Sequence, residues 1–219
     1  VRFIRKTRSP DFFEQEKCDF PLTEDSPWED FKNPCKTKFK EFLVQEQHGL
    51  CGYCECDLSS TTTSSHIEHI APRERYKHLK FVYENLIVSC DGRFLCSGKI
   101  LNKESCGHRK DNEYDELLFL NPVTQPDIAG CFRFDSENGA MSSSDFVNHQ
   151  AATDTIRVLN LDALSLRNAR LKAKEVLWEN LNTLPIEEAE IILRQELSIE
   201  REFISFLRHC FAPFLVESP

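Results

Sequence analysis

Apolar positions follow three regimes along the chain. From Trp28 to His48 they recur at helical spacing, with Phe39, Phe42 and Leu43 on one face, Pro34 dividing the stretch and Gly49 as a C-cap. Between 66 and 90 the period shortens. His66-Ile67-Glu68-His69-Ile70 alternates up to Pro72, and Phe81 to Ser89 is a short apolar run. This predicts a strand-like piece, a brief helical turn at Glu84-Asn85, and burial of Leu86, Ile87 and Val88. After residue 150 helical spacing returns. Leu159, Leu161, Leu164, Leu166, Leu171 and Val176 form one amphipathic run; Pro185 opens another to about Phe211, with Ile192, Ile199, Phe203 and Phe206 among its apolar positions.

The connecting stretches read differently. Residues 1–27, with Pro10, Pro21 and Pro27, form an irregular arm tacked down by Phe12, Phe13 and Phe20. Residues 57–65 are a polar loop, and 91–105 an excursion. A helix is expected from Gly107 to about Leu118, with Lys110 and Asn112 near its start. Pro122 and Pro126 interrupt, and Phe132-Arg-Phe before Asn138-Gly139 and Ala-Met reads as a β-hairpin. The division is an arm and helix (1–50), a central core (51–118), and a hairpin with helices (119–219), in one compact unit of α+β, mostly α, class.

Composition narrows the class. The chain has 219 residues, 40% hydrophobic and 29% charged, an ordinary globular balance. No apolar run reaches 18 residues, so no membrane helix is expected, and the basic start lacks the apolar region of a secretory signal. Ten cysteines in a chain of this length fit reduced thiols with a metal better than a disulfide scaffold, which points to the cytoplasm. The net charge of −9 is wrong for a simple nucleic-acid binder, yet residues 66–110 carry +4 and residues 111–150 carry −7. Local phosphate contact on a repelling body is the consequence, and a partner would help such a protein bind.

The positive segment also holds the chemistry. Cys51-Gly-Tyr-Cys54 is a knuckle that supplies two soft ligands. Cys90 and Cys106 complete a zinc set, with Cys96 as the rival, while Cys18, Cys35, Cys131 and Cys210 read as reduced, buried thiols. Alternation puts His66 and Glu68 on one strand face and His69 on the other. Glu68 offers the hard oxygen that Mg²⁺ wants, His69 suits a general base, and Asn85 suits a brace for the loop around it. Zinc deaminases also carry His-x-Glu, but before a Pro-Cys-x-x-Cys. Here the knuckle comes first and lacks the proline.

The order Cys-x-x-Cys, Glu-His-Ile-x-Pro, Asn-Leu, Cys, Cys-x-x-x-Lys resembles the HNH endonuclease family. CGYCECDL (51–58), HIEHIAPRERY (66–76), NLIVSC (85–90), CGHRKDN (106–112) and IRVLNLD (156–162) resemble more closely the HNH subunit, PtuB, of Septu anti-phage defence and its retron-associated relatives. The resemblance implies a ββα-metal core stapled by structural zinc and wrapped by helices. Within it His69 is the base, Glu68 a ligand of Mg²⁺ or Mn²⁺, and Asn85 the middle Asn. The family sets a histidine directly after the last cysteine, where this chain has Gly107, so the second ligand is open among His108, Asp111, Asn112 and His66. Arg73, Arg75, Lys77 and Lys110 are the expected phosphate contacts. The implied partners are nucleic acid, DNA before RNA, a PtuA-like ATPase subunit and, in retron systems, a reverse transcriptase with its RNA–DNA hybrid. An RNA-cleaving nuclease and a non-catalytic zinc module are the rival expectations.

Overall fold

In the computed structural model the alternating stretch is strand β1 (Ser65–His69) and the apolar run is β2 (Leu86–Cys90). They pair antiparallel, with His66 opposite Ser89 and Glu68 opposite Ile87. All five β2 residues are buried, so its backbone needs partners on both edges. β1 satisfies one edge. On the other, the buried Gln47 amide donates to the Val88 carbonyl at 2.9 Å and accepts from the Val88 N–H at 2.7 Å. The turn at Tyr83–Asn85 precedes β2, as the pattern predicts. The structure describes residues 1–59, 64–92, 94–96, 99–101, 104–145 and 148–215, with 94–96 and 99–101 described by backbone alone.

Two helices cover the hairpin from the N-terminal side. Helix α1 (Asp11–Asp19) packs on α2 (Cys35–Glu46), and α2 packs on β2. Phe13 stacks on Phe39 with ring centroids 4.0 Å apart, and Leu43 is fully buried beside them. The expected irregular arm therefore contains a helix. Pro10 sits at its N-cap position and Asp11 and Glu14 in its first turn, where the helix dipole favours acidic groups. Phe13 is buried as expected, but Phe20 is 60% exposed, because the chain leaves the helix at that residue. Gly49, with φ +76°, donates its N–H to the Val44 carbonyl and closes α2.

Strands β3 (Phe94–Cys96) and β4 (Lys99–Leu101) form a small hairpin within the excursion, and helix α3 (Cys106–Lys110) follows. The helix expected to reach Leu118 is thus five residues long. Asp111 takes a positive φ of 48°, which breaks right-handed helix geometry. Strands β5 (Phe132–Phe134) and β6 (Met141–Ser143) form the expected hairpin. Their connection is longer than an Asn-Gly pair, and it is organised by the Asp135 carboxylate, which accepts the Glu137 and Asn138 N–H groups.

The C-terminal part is helical, in shorter pieces than the spacing predicts. Helix α4 (His149–Leu159) ends at left-handed Asn160, and α5 (Leu164–Asn182) restarts after it. Helix α6 (Ile186–Ser198) and α7 (Ile204–Phe211) are separated by residues 199–203, with Phe203 at φ +53°. Leu164, Val176 and Ile199 are exposed, not buried. One buried apolar cluster joins Phe13, Phe39, Tyr53 and Leu86 to Leu159, Leu166, Phe206 and Phe211. The class is α+β, mostly helical, with small antiparallel sheets. Among the described residues no helix is long and apolar enough to cross a membrane.

Candidate active site

Beside the hairpin lie four thiols. Cys51 and Cys54 come from the turn after α2, Cys90 ends β2, and Cys106 opens α3. Their sulfurs all lie within 4.8 Å of one another, with Cys51–Cys106 at 3.9 Å and Cys54–Cys90 at 3.7 Å. A tetrahedron with metal–sulfur arms of about 2.3 Å has edges of roughly 3.8 Å, so the quartet fits a metal such as zinc. The Cys90 N–H donates to the Cys51 sulfur at 3.3 Å. All four are buried. Burial pushes the Cys54 and Cys106 thiols up, while the neighbouring Cys106 draws Cys90 down to about 6. Cys56 is buried nearby without joining the quartet, and the Cys96 side chain lies outside the described residues. Of the thiols expected to be buried, Cys131 and Cys210 are; Cys35 is half-buried, and Cys18, on the open face of α1, is exposed.

A cleft of about 430 Å³ opens along the same hairpin, with His66, Glu68, His69, Arg73, Gly107 and His108 among its lining residues. His66 and Glu68 share a face, and Nε2 of His66 lies 3.4 Å from Oε2 of Glu68. Nδ1 of His66 bonds Asp91 at 2.7 Å. Nε2 of His108 meets the same carboxylate oxygen at 3.2 Å, and the two imidazole rings are 4.1 Å apart. His66, Asp91 and His108 are therefore a second group able to hold a cation. Burial opposes charge on His66, but Glu68 and Asp91 outweigh it and raise its pKa. Burial likewise opposes charge on Glu68, and His66 and Lys110 more than reverse that, holding the carboxyl below its usual range.

His69 projects from the other face and packs edge-on against Trp28 at 4.5 Å. Its Nε2 lies 3.0 Å from the Lys80 carbonyl. A carbonyl only accepts, so Nε2 carries the proton and Nδ1 keeps its lone pair. Burial pushes the pKa down to about 4, which leaves a neutral imidazole near pH 7. Asn85 braces the loop that carries that carbonyl: it accepts the Ala71 N–H at 2.8 Å and donates to the Ala71 and Leu79 carbonyls.

The expected phosphate contacts divide. Arg73 lines the cleft. Arg75 and Lys77 are exposed farther along the loop, with Arg75 donating to the Tyr114 carbonyl. Lys110 differs from expectation. It is 1% exposed and bonds Glu68 at 3.0 Å and the His69 carbonyl at 3.1 Å, beneath the site rather than on its rim. Asp111 and Asn112 line the cleft and are exposed. Two features were not anticipated. Asp91 lies two residues beyond Ser89, the partner of His66, and the period of two along a strand puts it on that same face. A second hollow of about 290 Å³ is walled by Trp28, Lys36, Lys40 and the far side of His66.

No family model matches the chain. Two curated proteins are similar to it. "Septu protein PtuB" of Bacillus thuringiensis is 33% identical over 64 residues, 29% of this chain and 24% of that protein. "Retron Ec83 putative HNH endonuclease" of Escherichia coli is 24% identical, with 78% of each chain covered. The chain thus spans about a quarter of the first relative and over three-quarters of the second. Both relatives bear names that the motif resemblance had suggested.

Proposed function

We propose that the chain is a metal-dependent endonuclease of the HNH type, with a ββα-metal core made of β1, β2 and α3. The observation that carries this is a neutral, carbonyl-held imidazole next in sequence to a buried carboxylate, His69 beside Glu68, on a hairpin backed by four converging thiols. The thiols would hold structural zinc. Glu68 would hold a divalent ion, Mg²⁺ or Mn²⁺, which when bound supplies positive charge against the scissile phosphate and the leaving oxygen.

The chain's own residues do the rest. Nδ1 of His69 takes the proton of a water aimed at the phosphodiester. The Lys80 carbonyl fixes the tautomer that frees Nδ1, and Asn85 holds that loop. Lys110 lies against Glu68 and the His69 carbonyl and keeps adjacent strand positions in register with α3. Arg73 at the cleft, with Arg75 and Lys77 beyond it, would contact flanking phosphates. DNA is the favoured substrate. The names of the relatives, a Septu protein and a putative retron HNH endonuclease, fit the anti-phage role that the motif resemblance implies; the partners implied with it are a PtuA-like ATPase and, in a retron setting, a reverse transcriptase with its hybrid.

The test is cleavage of plasmid DNA and of total tRNA with and without Mn²⁺, with and without a PtuA-like ATPase subunit, and with His69→Ala as control. Metal-dependent nicking of plasmid lost in the variant is the expected result. Cleavage of tRNA alone would move the substrate to RNA. No cleavage in any condition would leave a zinc-stapled binding module.

A further inference from the structure

The resemblance leaves one ligand missing, since the position after Cys106 is a glycine. The structure shows what occupies that space. A Cβ at Gly107 would lie 2.7 Å from Oε2 of Glu68 and 2.8 Å from Nε2 of His66. Contacts this short do not occur without a shift, so a side chain at 107 is incompatible with the present placement of His66 and Glu68 together, and the glycine lets the two meet. The imidazole of His66, two strand positions from Glu68, stands where a side chain at 107 would begin.

His66 is also built to present that nitrogen. Its Nδ1 faces Asp91 at 2.7 Å. A carboxylate accepts, so Nδ1 carries the proton toward Asp91, and Nε2, 3.4 Å from Oε2 of Glu68, is the nitrogen at which a cation shared with Glu68 would take the place of a proton. A carboxylate behind a histidine is the common device for orienting a metal-binding imidazole and raising its basicity. His108 reaches the same Asp91 oxygen and lays its ring against that of His66. Asp91 is held from both sides, and His66 has one orientation.

We infer that Nε2 of His66, oriented by Asp91, replaces the missing histidine after the last cysteine and shares the divalent ion with Glu68. Asp91 is then a positioning residue and His108 a support for it. A nitrogen and a carboxylate oxygen suit Mn²⁺ better than Mg²⁺, which prefers oxygen. This inference rests on the nuclease reading of the same cleft and names its ligands.

Binding of Mn²⁺ alone to the full chain, its cysteine site filled with zinc, tests the assignment by titration calorimetry and by loss of the free-ion electron paramagnetic resonance signal. The parent should bind one Mn²⁺. His66→Ala should abolish measurable binding. Asp91→Asn should weaken it by ~10–100-fold, and Asp91→Glu should recover part of that. Gly107→Ala sets a Cβ against Oε2 of Glu68 and Nε2 of His66 together and should also weaken binding. Unchanged zinc content and circular dichroism separate lost binding from lost folding. Binding by His66→Ala or Asp91→Asn equal to the parent overturns the assignment, as does Mg²⁺ binding as tight as Mn²⁺. If the parent cleaves nucleic acid while those variants bind Mn²⁺ normally, the ligand assignment fails and the nuclease reading stands. If the variants lose Mn²⁺ as expected and the parent cleaves nothing, the nuclease reading fails and the ligands stand.

Discussion

The β1–β2–α3 unit carries one closed and one open polar face. In the closed one, four soft ligands are buried together, with the Cys90 N–H and the Ser89 hydroxyl beside the Cys51 sulfur. In the open one, the His66, Asp91 and His108 side chains keep 26%, 27% and 34% of their surface exposed. A closed ligand set fits a structural metal, whereas an open one leaves room for water or substrate. The shared elements matter here. Cys90 is followed directly by Asp91, and Cys106 by Gly107 and His108. A metal on the four thiols would thus fix the backbone that aims the groups of the cleft.

The sharpest way to break the comparison is to remove the closed face. Cys54→Ala, or exhaustive chelation, should unfold the central unit, because structural zinc contributes ~10–16 kcal/mol of apparent binding free energy against a total stability of ~5–15 kcal/mol. Circular dichroism together with metal analysis reads this directly. A chain that keeps its helicity and melting point without metal would show that the thiols are only core. Next in size is His69→Ala, which should lower cleavage by ~10²–10⁴-fold while zinc content stays that of the parent. The closed face would then be intact and the open one silent.

Smaller effects sharpen the boundary between the faces. Asn85→Ala leaves the Ala71 N–H and the Ala71 and Leu79 carbonyls without their side-chain partner. A stability loss of ~1–3 kcal/mol, read from the urea midpoint, should accompany reduced cleavage, since the Lys80 carbonyl behind His69 is loosened. The least effect belongs to Arg75→Ala. It should shift stability within about 0.5 kcal/mol, weaken binding evenly across sequences and reduce the salt slope of nucleic-acid binding by about one. An unchanged slope would remove Arg75 from the phosphate contacts.

What the sequence revealed follows the same division. Among the described residues the structure gathers Cys51, Cys54, Cys90 and Cys106, the four that spacing and neighbouring elements single out, while the rival Cys96 side chain lies outside them. His66 and Glu68 meet each other, as the alternation predicts, while His69 turns to Trp28 and the Lys80 carbonyl, yet all three line the same cleft. Asp91 was not legible, because an aspartate after a cysteine means nothing until the register of β1 on β2 is known. Lys110 looked like a surface cation, since spacing along α3 cannot show that β1 lies over it. The helix breaks at Asn160 and Phe203 were hidden for another reason. Both take left-handed backbone without glycine, and apolar spacing runs through them unchanged.

One buried contact ties the ends of this architecture together. Glu55, the residue after Cys54, takes φ +67° and turns its carboxylate inward. There it accepts from the Ser205 N–H at 2.9 Å and the Ser205 hydroxyl at 2.7 Å, while its own carbonyl accepts from the Phe203 N–H at 3.0 Å. Ser205 lies 150 residues downstream. During synthesis the knuckle leaves the ribosome long before α7 does, and until then a carboxylate beside the thiols lacks these partners. The order of translation therefore delays completion of the packing around the knuckle, and a chain released before residue 205 would carry the motif without this support.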